Sequence, residues 1–283
     1  TSARVVSGTP GTNGWWKSGV TVELTAEDPV SGGVASGVDE TWHSLDGGTT
    51  WSKGTVVPVS TEGEHTLQFY SIDRAGNTEA TKTFGVKVDL NAPLVNVASP
   101  TAKTYLYGAN IVAGFSAADS CSGVLPGMPT AKFNGNAVSN GQTLALTTPG
   151  TNEFVVCATD QAGHAAVVTV SLTVAFAPGV ILPPGSLDHT WNAGRMMPVK
   201  FTVLDANGRP TDAAIAMVDV KLINTTGTTT TQVAYGQAFV SYENGVPSYH
   251  FNAKTIKGQA GTLKVKITLN DGVTGMCKDM YLR

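Results

Sequence analysis

Two stretches of this chain are copies of one another. Ser36-Gly37-Val38 returns as Ser122-Gly123-Val124, 86 residues on. Asp73-Arg74-Ala75-Gly76-Asn77 returns as Asp160-Gln161-Ala162-Gly163-His164, 87 residues on, and GEHTLQFYSID at 63–73 aligns with GTNEFVVCATD at 150–160. A near-constant offset across separate motifs means a duplicated unit, here about the size of a small β-sandwich.

The units read as strands. Val20, Val22 and Leu24 alternate with Thr21, Glu23 and Thr25, and Leu67, Phe69 and Ser71 alternate with Gln68, Tyr70 and Ile72. A period of two with β-branched residues marks a half-buried strand, and helical periodicity is absent from both copies. Asp46-Gly47-Gly48, between Trp42 and Trp51, is a hairpin signal. Beyond the copies, Val199-Phe201-Val203, Val218-Val220-Leu222 and Leu263-Val265-Ile267-Leu269 keep the alternation, and Asn270-Asp271-Gly272 marks another hairpin. This last stretch has a different internal pattern. The expected architecture is all-β: three tandem immunoglobulin-like sandwiches over 1–90, 91–177 and 178–283. The boundaries fall at Val88–Pro93 and from Ala175 through Pro183-Pro184-Gly185.

Composition agrees. Charged residues are 14% of the chain, against about 25% in an average soluble protein. Few charges with 32 glycines suit short strands and tight turns better than amphipathic helices. The net charge of −3 comes without a Lys/Arg run, so the footprint of a nucleic-acid binder is missing. No apolar run reaches the ~18 residues of a membrane span. TSARVVSGTP at the start lacks the pattern of a secretion signal, so any export signal is expected outside this sequence.

GWWKSGVTVELTAED, SGV, HSLDGGTTW and DRAGN, in that order, resemble the bacterial Ig-like repeats of the OmpL47 type. The second copy is similar but more divergent, with His164 where that family usually has Asn. Asn192-Ala193-Gly194, Met197-Pro198-Val199-Lys200-Phe201 and Tyr249-His250-Phe251-Asn252-Ala253-Lys254-Thr255 resemble the PxKF-motif domain of large exported bacterial proteins. The resemblance implies a secreted or cell-surface location and a spacer, stalk or accessory role beside neighbouring domains, as a monomer. A carbohydrate-binding or adhesive module is the alternative, with polysaccharide or cell-wall glycan as partner.

Candidate sites follow from residue chemistry. The five His (His43, His65, His164, His189, His250) are dispersed, and no nucleophile or zinc motif surrounds them. The chain therefore reads as non-catalytic, with no cofactor required. Calcium is the one ion to consider. In an Ig-like sandwich the strands ending at Asp28 and Asp73 run the same way, so their loops share a pole with Ser36-Gly37-Val38. The second copy collects Asp119 and Asp160 likewise, facing Asp89 and Asn91 at the end of the first. Converging hard oxygens suit Ca²⁺; Asp in a turn bonding backbone amides is the competing account.

For sugar stacking the candidates are Trp15, Trp16 and Trp51, with packing as the competing use. Cys121 and Cys157 are expected to form a disulfide, against the alternative of two buried thiols, and Cys277 is left over. Lys200, between Val199 and Phe201, belongs on the solvent face, which argues against an isopeptide crosslink. Asn224-Thr225-Thr226 is a glycosylation sequon.

Overall fold

The computed structural model describes residues 1–30, 35–182 and 190–283. Pro183-Pro184-Gly185 of the second expected boundary, and His189, lie outside the described residues. Among those described, every helix or strand element is a strand. Among the described residues, no helix is long and apolar enough to cross a membrane.

Eight strands make the first sandwich: β1 (Ser2–Ser7), β2 (Trp15–Trp16), β3 (Val20–Thr25), β4 (Val38–Ser44), β5 (Ser52–Lys53), β6 (Val56–Val59), β7 (Gly63–Asp73) and β8 (Lys82–Val88). One sheet runs β1-β3-β6 and the other β2-β8-β7-β4-β5. In immunoglobulin lettering these are A-B-E and A′-G-F-C-C′. The short A′ strand lies parallel to G, pairing Trp15 with Lys87 and Trp16 with Val88. The alternation read from sequence is the alternation found. Val20, Val22, Leu24, Leu67, Phe69, Val86 and Val88 form the core with Val57 and Val59.

The second sandwich repeats this order. It contains β9 (Leu94–Ser99), β10 (Thr104–Leu106), β11 (Asn110–Val112), β12 (Gly114–Ala118), β13 (Thr130–Phe133), β14 (Asn136–Val138), β15 (Thr143–Ala145), β16 (Gly150–Thr159) and β17 (Ala165–Ala175). Its five-stranded sheet is β10-β17-β16-β13-β14, again with β10 parallel to β17. Strand B is broken at Ala113, so one part pairs with A (β12-β9) and the other with E (β11-β15).

The third sandwich contains β18 (Ala177–Leu182), β19 (Thr190–Trp191), β20 (Met196–Leu204), β21 (Ala216–Asn224), β22 (Thr230–Gln237), β23 (Phe239–Glu243), β24 (Val246–Lys254), β25 (Gly261–Leu269) and β26 (Gly275–Leu282). The sheets are β18-β20-β24-β23 and β19-β26-β25-β21-β22, or A-B-E-D and A′-G-F-C-C′. Its sequence pattern differs, yet its A′-G-F-C-C′ sheet is ordered like the other two, and a fourth strand, D, extends its A-B-E sheet. Val199, Phe201, Val218, Val220, Leu263, Val265 and Ile267 fill its core. Lys200 points the other way, to Glu243 Oε2 at 3.0 Å.

Spatially the chain condenses into two compact units. One is Thr1–Asn96, Phe115–Thr130 and Val156–Val168; the other is Val97–Gly114, Ala131–Val155 and Thr169–Arg283. The first unit therefore holds the first sandwich together with two loops of the second, at Asp119–Val124 and Asp160–His164. Those loops carry the candidate site.

Candidate metal centre

Where β8 ends, the A′–G ladder extends by one more bond, from the Asp89 amide to the Trp16 carbonyl at 2.9 Å. That bond fixes the direction of the Asp89 side chain. Asp89 is 0% exposed, its Oδ1 accepting the Asn91 amide at 3.1 Å and its Oδ2 the Ser122 amide at 3.3 Å. Asp160, at the end of β16, is also 0% exposed. Its Oδ1 accepts the His164 amide at 2.9 Å, while its Oδ2 is buried without a hydrogen-bond partner.

His164 closes the group. Its Nε2 donates to the Asp89 carbonyl at 3.0 Å, so Nδ1 is the ring nitrogen not used in that bond. One ligand atom each from Asp89, Asp160 and His164 lies within 4.8 Å of the others. Backbone and side-chain bonds hold the loops in place: Thr12 N to Ala162 O at 3.0 Å, Thr12 Oγ1 to Gln161 O at 2.6 Å, and Ala162 N to Ser122 Oγ at 3.2 Å. Lys17 Nζ donates to the Gly163 carbonyl at 2.9 Å.

Of the six acids and amides considered for calcium, the structure gathers two here. Asn91 turns away, donating to Glu62 Oε1 at 2.6 Å. Asp119 is a turn residue, its Oδ1 accepting the Cys121 and Gly123 amides at 3.1 and 2.7 Å. Asp28 and Asp73 do share a pole of the first sandwich, lining one depression of about 300 Å³. Their oxygens are engaged locally. Asp28 Oδ2 accepts Ser36 Oγ at 3.0 Å and Gly37 N at 2.8 Å, and Asp73 accepts both the amide and the side chain of Asn77. The Asn77 bonds hold the Asp73 carboxyl below its ordinary value.

His164 was not singled out from sequence as a ligand. The signal was present in the internal copy, since Asn77 and His164 occupy equivalent positions of otherwise matching turns. The other described histidines sit elsewhere. His43 and His65 contact the backbone carbonyls of Gly54 and Thr61 at 3.3 and 2.8 Å. His250 Nε2 lies 2.7 and 3.0 Å from the Ser241 and Ser248 hydroxyls.

The disulfide expectation is corrected. Cys121, Cys157 and Cys277 are all free thiols. Cys121 Sγ donates to the Val88 carbonyl at 3.3 Å. Cys157 lies between Val156 and Ala158, which face the core, and alternation turns it to the opposite face of β16. Burial pushes the Cys121 thiol up, and the negative charge of Asp89 adds to it.

Of the three candidate tryptophans, Trp15 is buried and Trp16 and Trp51 are half-buried. Trp15 is only 7% exposed, so it offers no open face to a sugar ring. Trp16 packs against the first core. Trp51 stands edge-on to Tyr70 with centroids 4.8 Å apart, and its Nε1 donates to the Gly48 carbonyl at 3.0 Å. The sequon residue Asn224 caps its own turn, its Oδ1 accepting the Thr228 amide at 2.9 Å.

No protein-family model matches this chain, and no curated protein matches it. Among solved structures it is similar to the domain 1–4 ectodomain fragment of ICAM-5, at 14% identity and TM-score 0.42, over 99% of this chain and 76% of that one. It is also similar to domains A168–A170 of titin, at 11% identity and TM-score 0.34, covering 99% and 97%. The fibronectin(III)-like modules of Clostridium thermocellum CbhA match at 15% identity and TM-score 0.29, covering 61% and 94%. The immunoglobulin-like assignment rests on the strand orders given above.

Proposed function

We propose that this chain is a non-catalytic spacer of an exported, cell-surface or secreted bacterial-type protein: two OmpL47-type modules followed by a PxKF-type module, presenting or anchoring another domain. The observation that carries this reading is that each linker is pinned by a buried residue, although Leu90, Asn91 and Ala92 of the first are exposed. A flexible tether is exposed and rich in Gly and Ser. Here Asp89 is buried among hydrogen bonds, and Phe176 is 2% exposed. The Phe176 amide donates to Asp271 Oδ2 at 2.8 Å, its carbonyl accepts Thr274 Oγ1 at 2.7 Å, and its ring meets Tyr107 at 4.8 Å. Each sandwich is thus tied to the peptide that leads into or out of it, which suits a part that keeps spacing under load.

Limited proteolysis tests the reading. The 88–93 and 175–178 segments should resist cleavage as long as the sandwiches themselves do, and early cutting at either would contradict it. The carbohydrate-binding alternative makes a separate forecast: specific retention on a polysaccharide, abolished by Trp51→Ala. That result would replace the spacer reading.

A further inference from the structure

Two carboxyl groups buried side by side call for a positively charged partner, because burial removes the water that would otherwise solvate them. Asp89 and Asp160 are such a pair. Among the described residues neither has a Lys or Arg within ion-pair distance. The Lys17 ammonium is spent on the Gly163 carbonyl. Asp160 Oδ2, buried and unpartnered, is the acceptor left over.

The geometry points to a divalent metal site of the zinc class, formed by Asp89, Asp160 and His164. The donor set decides the class. Calcium takes six to eight oxygen ligands, whereas imidazole beside carboxylates suits zinc and its transition-metal neighbours. The Nε2–H bond to the Asp89 carbonyl is the kind of contact that orients a ligating imidazole through its other nitrogen. Zinc bonds of about 2.0–2.2 Å would draw the three donors closer than the 4.8 Å limit within which they stand. A fourth position remains for water. The ion would fasten the linker to the second sandwich. This inference stands on the joint's geometry and is independent of the spacer reading.

The test uses the full chain carrying Cys277→Ser, which removes the exposed thiol as a competing ligand. Chelator-treated protein is given zinc, calcium or magnesium, then assayed for bound metal and melting temperature. One zinc per chain and a rise in melting temperature with zinc alone are expected. His164→Asn and Asp160→Asn should each weaken zinc binding by at least about 10–100-fold, the range seen when groups that merely orient a ligand are removed. Asp160→Asn keeps an oxygen to accept the His164 amide, so its metal-free fold should persist, as a β-type circular-dichroism spectrum would show. Failure to retain zinc, an equal or larger response to calcium, or undiminished zinc binding in both variants would each overturn the proposal.

Discussion

The turn at Asp73–Asn77 and the turn at Asp160–His164 have nearly the same backbone. In each, the Asp amide donates to the carbonyl of the fifth residue, at 3.1 and 3.0 Å, and the Gly amide returns to the Asp carbonyl, at 3.0 and 3.2 Å. In each, Asp Oδ1 accepts the amide of the fifth residue, at 2.8 and 2.9 Å. Gly76 and Gly163 sit at φ 87° and 92°, a left-handed conformation that glycine adopts without strain. Even the contact to the neighbouring loop is kept, with Arg74 N to Gly37 O at 2.9 Å and Gln161 N to Gly123 O at 2.8 Å.

One side chain separates them. Asn77 Nδ2 reaches back to Asp73 Oδ2 at 2.7 Å and completes the turn. His164 reaches outward to the Asp89 carbonyl, and Asp160 Oδ2 is left uncapped in a buried place. The same scaffold is thus a self-contained turn at one pole and a joint at another. Turn chemistry accounts fully for the first and only partly for the second.

The largest expected effect tests whether the two copies are equivalent beneath the turns. Leu67 and Phe154 occupy matching positions and are both 0% exposed. Leu67→Ala should cost about 2–5 kcal/mol and Phe154→Ala about 3–5 kcal/mol in urea unfolding. A cost below about 1 kcal/mol for either would break the equivalence.

Exchanging the fifth residue sharpens the contrast. With chelator present, His164→Asn gives Asp160 Oδ2 a donor and gives up the bond to Asp89. Satisfying a buried acceptor is worth about 1–3 kcal/mol and an ordinary hydrogen bond about 0.5–1.5, so a net gain near 1 kcal/mol is expected. Destabilisation by more than that would mean the Asp89 contact dominates.

Acid should then act on the closed turn. The Asp73 carboxyl is held below its ordinary value by Asn77, so its contribution is complete above about pH 4 and is lost as pH falls through the lowered value. Asp271, at the second junction, behaves with the same sign. Burial opposes its ionisation, but bonds from Thr274, Phe176 and Val273 outweigh that and keep it low. Asp73→Asn and Asp271→Asn should each flatten the acid limb of a stability-against-pH curve, and an unchanged limb would count against these bonds. The smallest effect concerns sulfur. Melting curves should coincide with and without reductant, and Cys277, which is exposed, should react with a thiol reagent before Cys121.

Much of this could be read from the chain. The offset of 87 residues located the repeated turns, and a period of two located the core faces of β3, β7, β20 and β25. Strand direction alone brought Asp28 to Asp73. It also set Asp160 beside the end of the first copy. What escaped depends on side-chain direction. Nothing in the spacing says that Asn91 turns to Glu62 while Asp89 turns inward, or that Asp119 is spent on two amides. Cys121 and Cys157 looked like a bridge because both sit in one copy, whereas alternation in β16 aims Cys157 away from the core. Trp15 belongs to a two-residue strand too short for periodicity, so its packing was weighed only against sugar stacking and not read from a pattern. The third sandwich was legible as immunoglobulin-like despite its different motifs, because its strands keep the same period of two.

A double-mutant cycle on Asp89→Asn and Asp160→Asn, run with chelator, asks whether the two carboxyl groups are coupled across the joint. If the two buried carboxyl groups lie against each other, each substitution changes the surroundings of the other. The double variant should then differ from the sum of the singles by about 0.5–3 kcal/mol. The matching cycle on Asp89→Asn and Asp73→Asn, at opposite ends of β8 and β7, should be additive. Additivity within about 0.3 kcal/mol for both cycles would contradict the account.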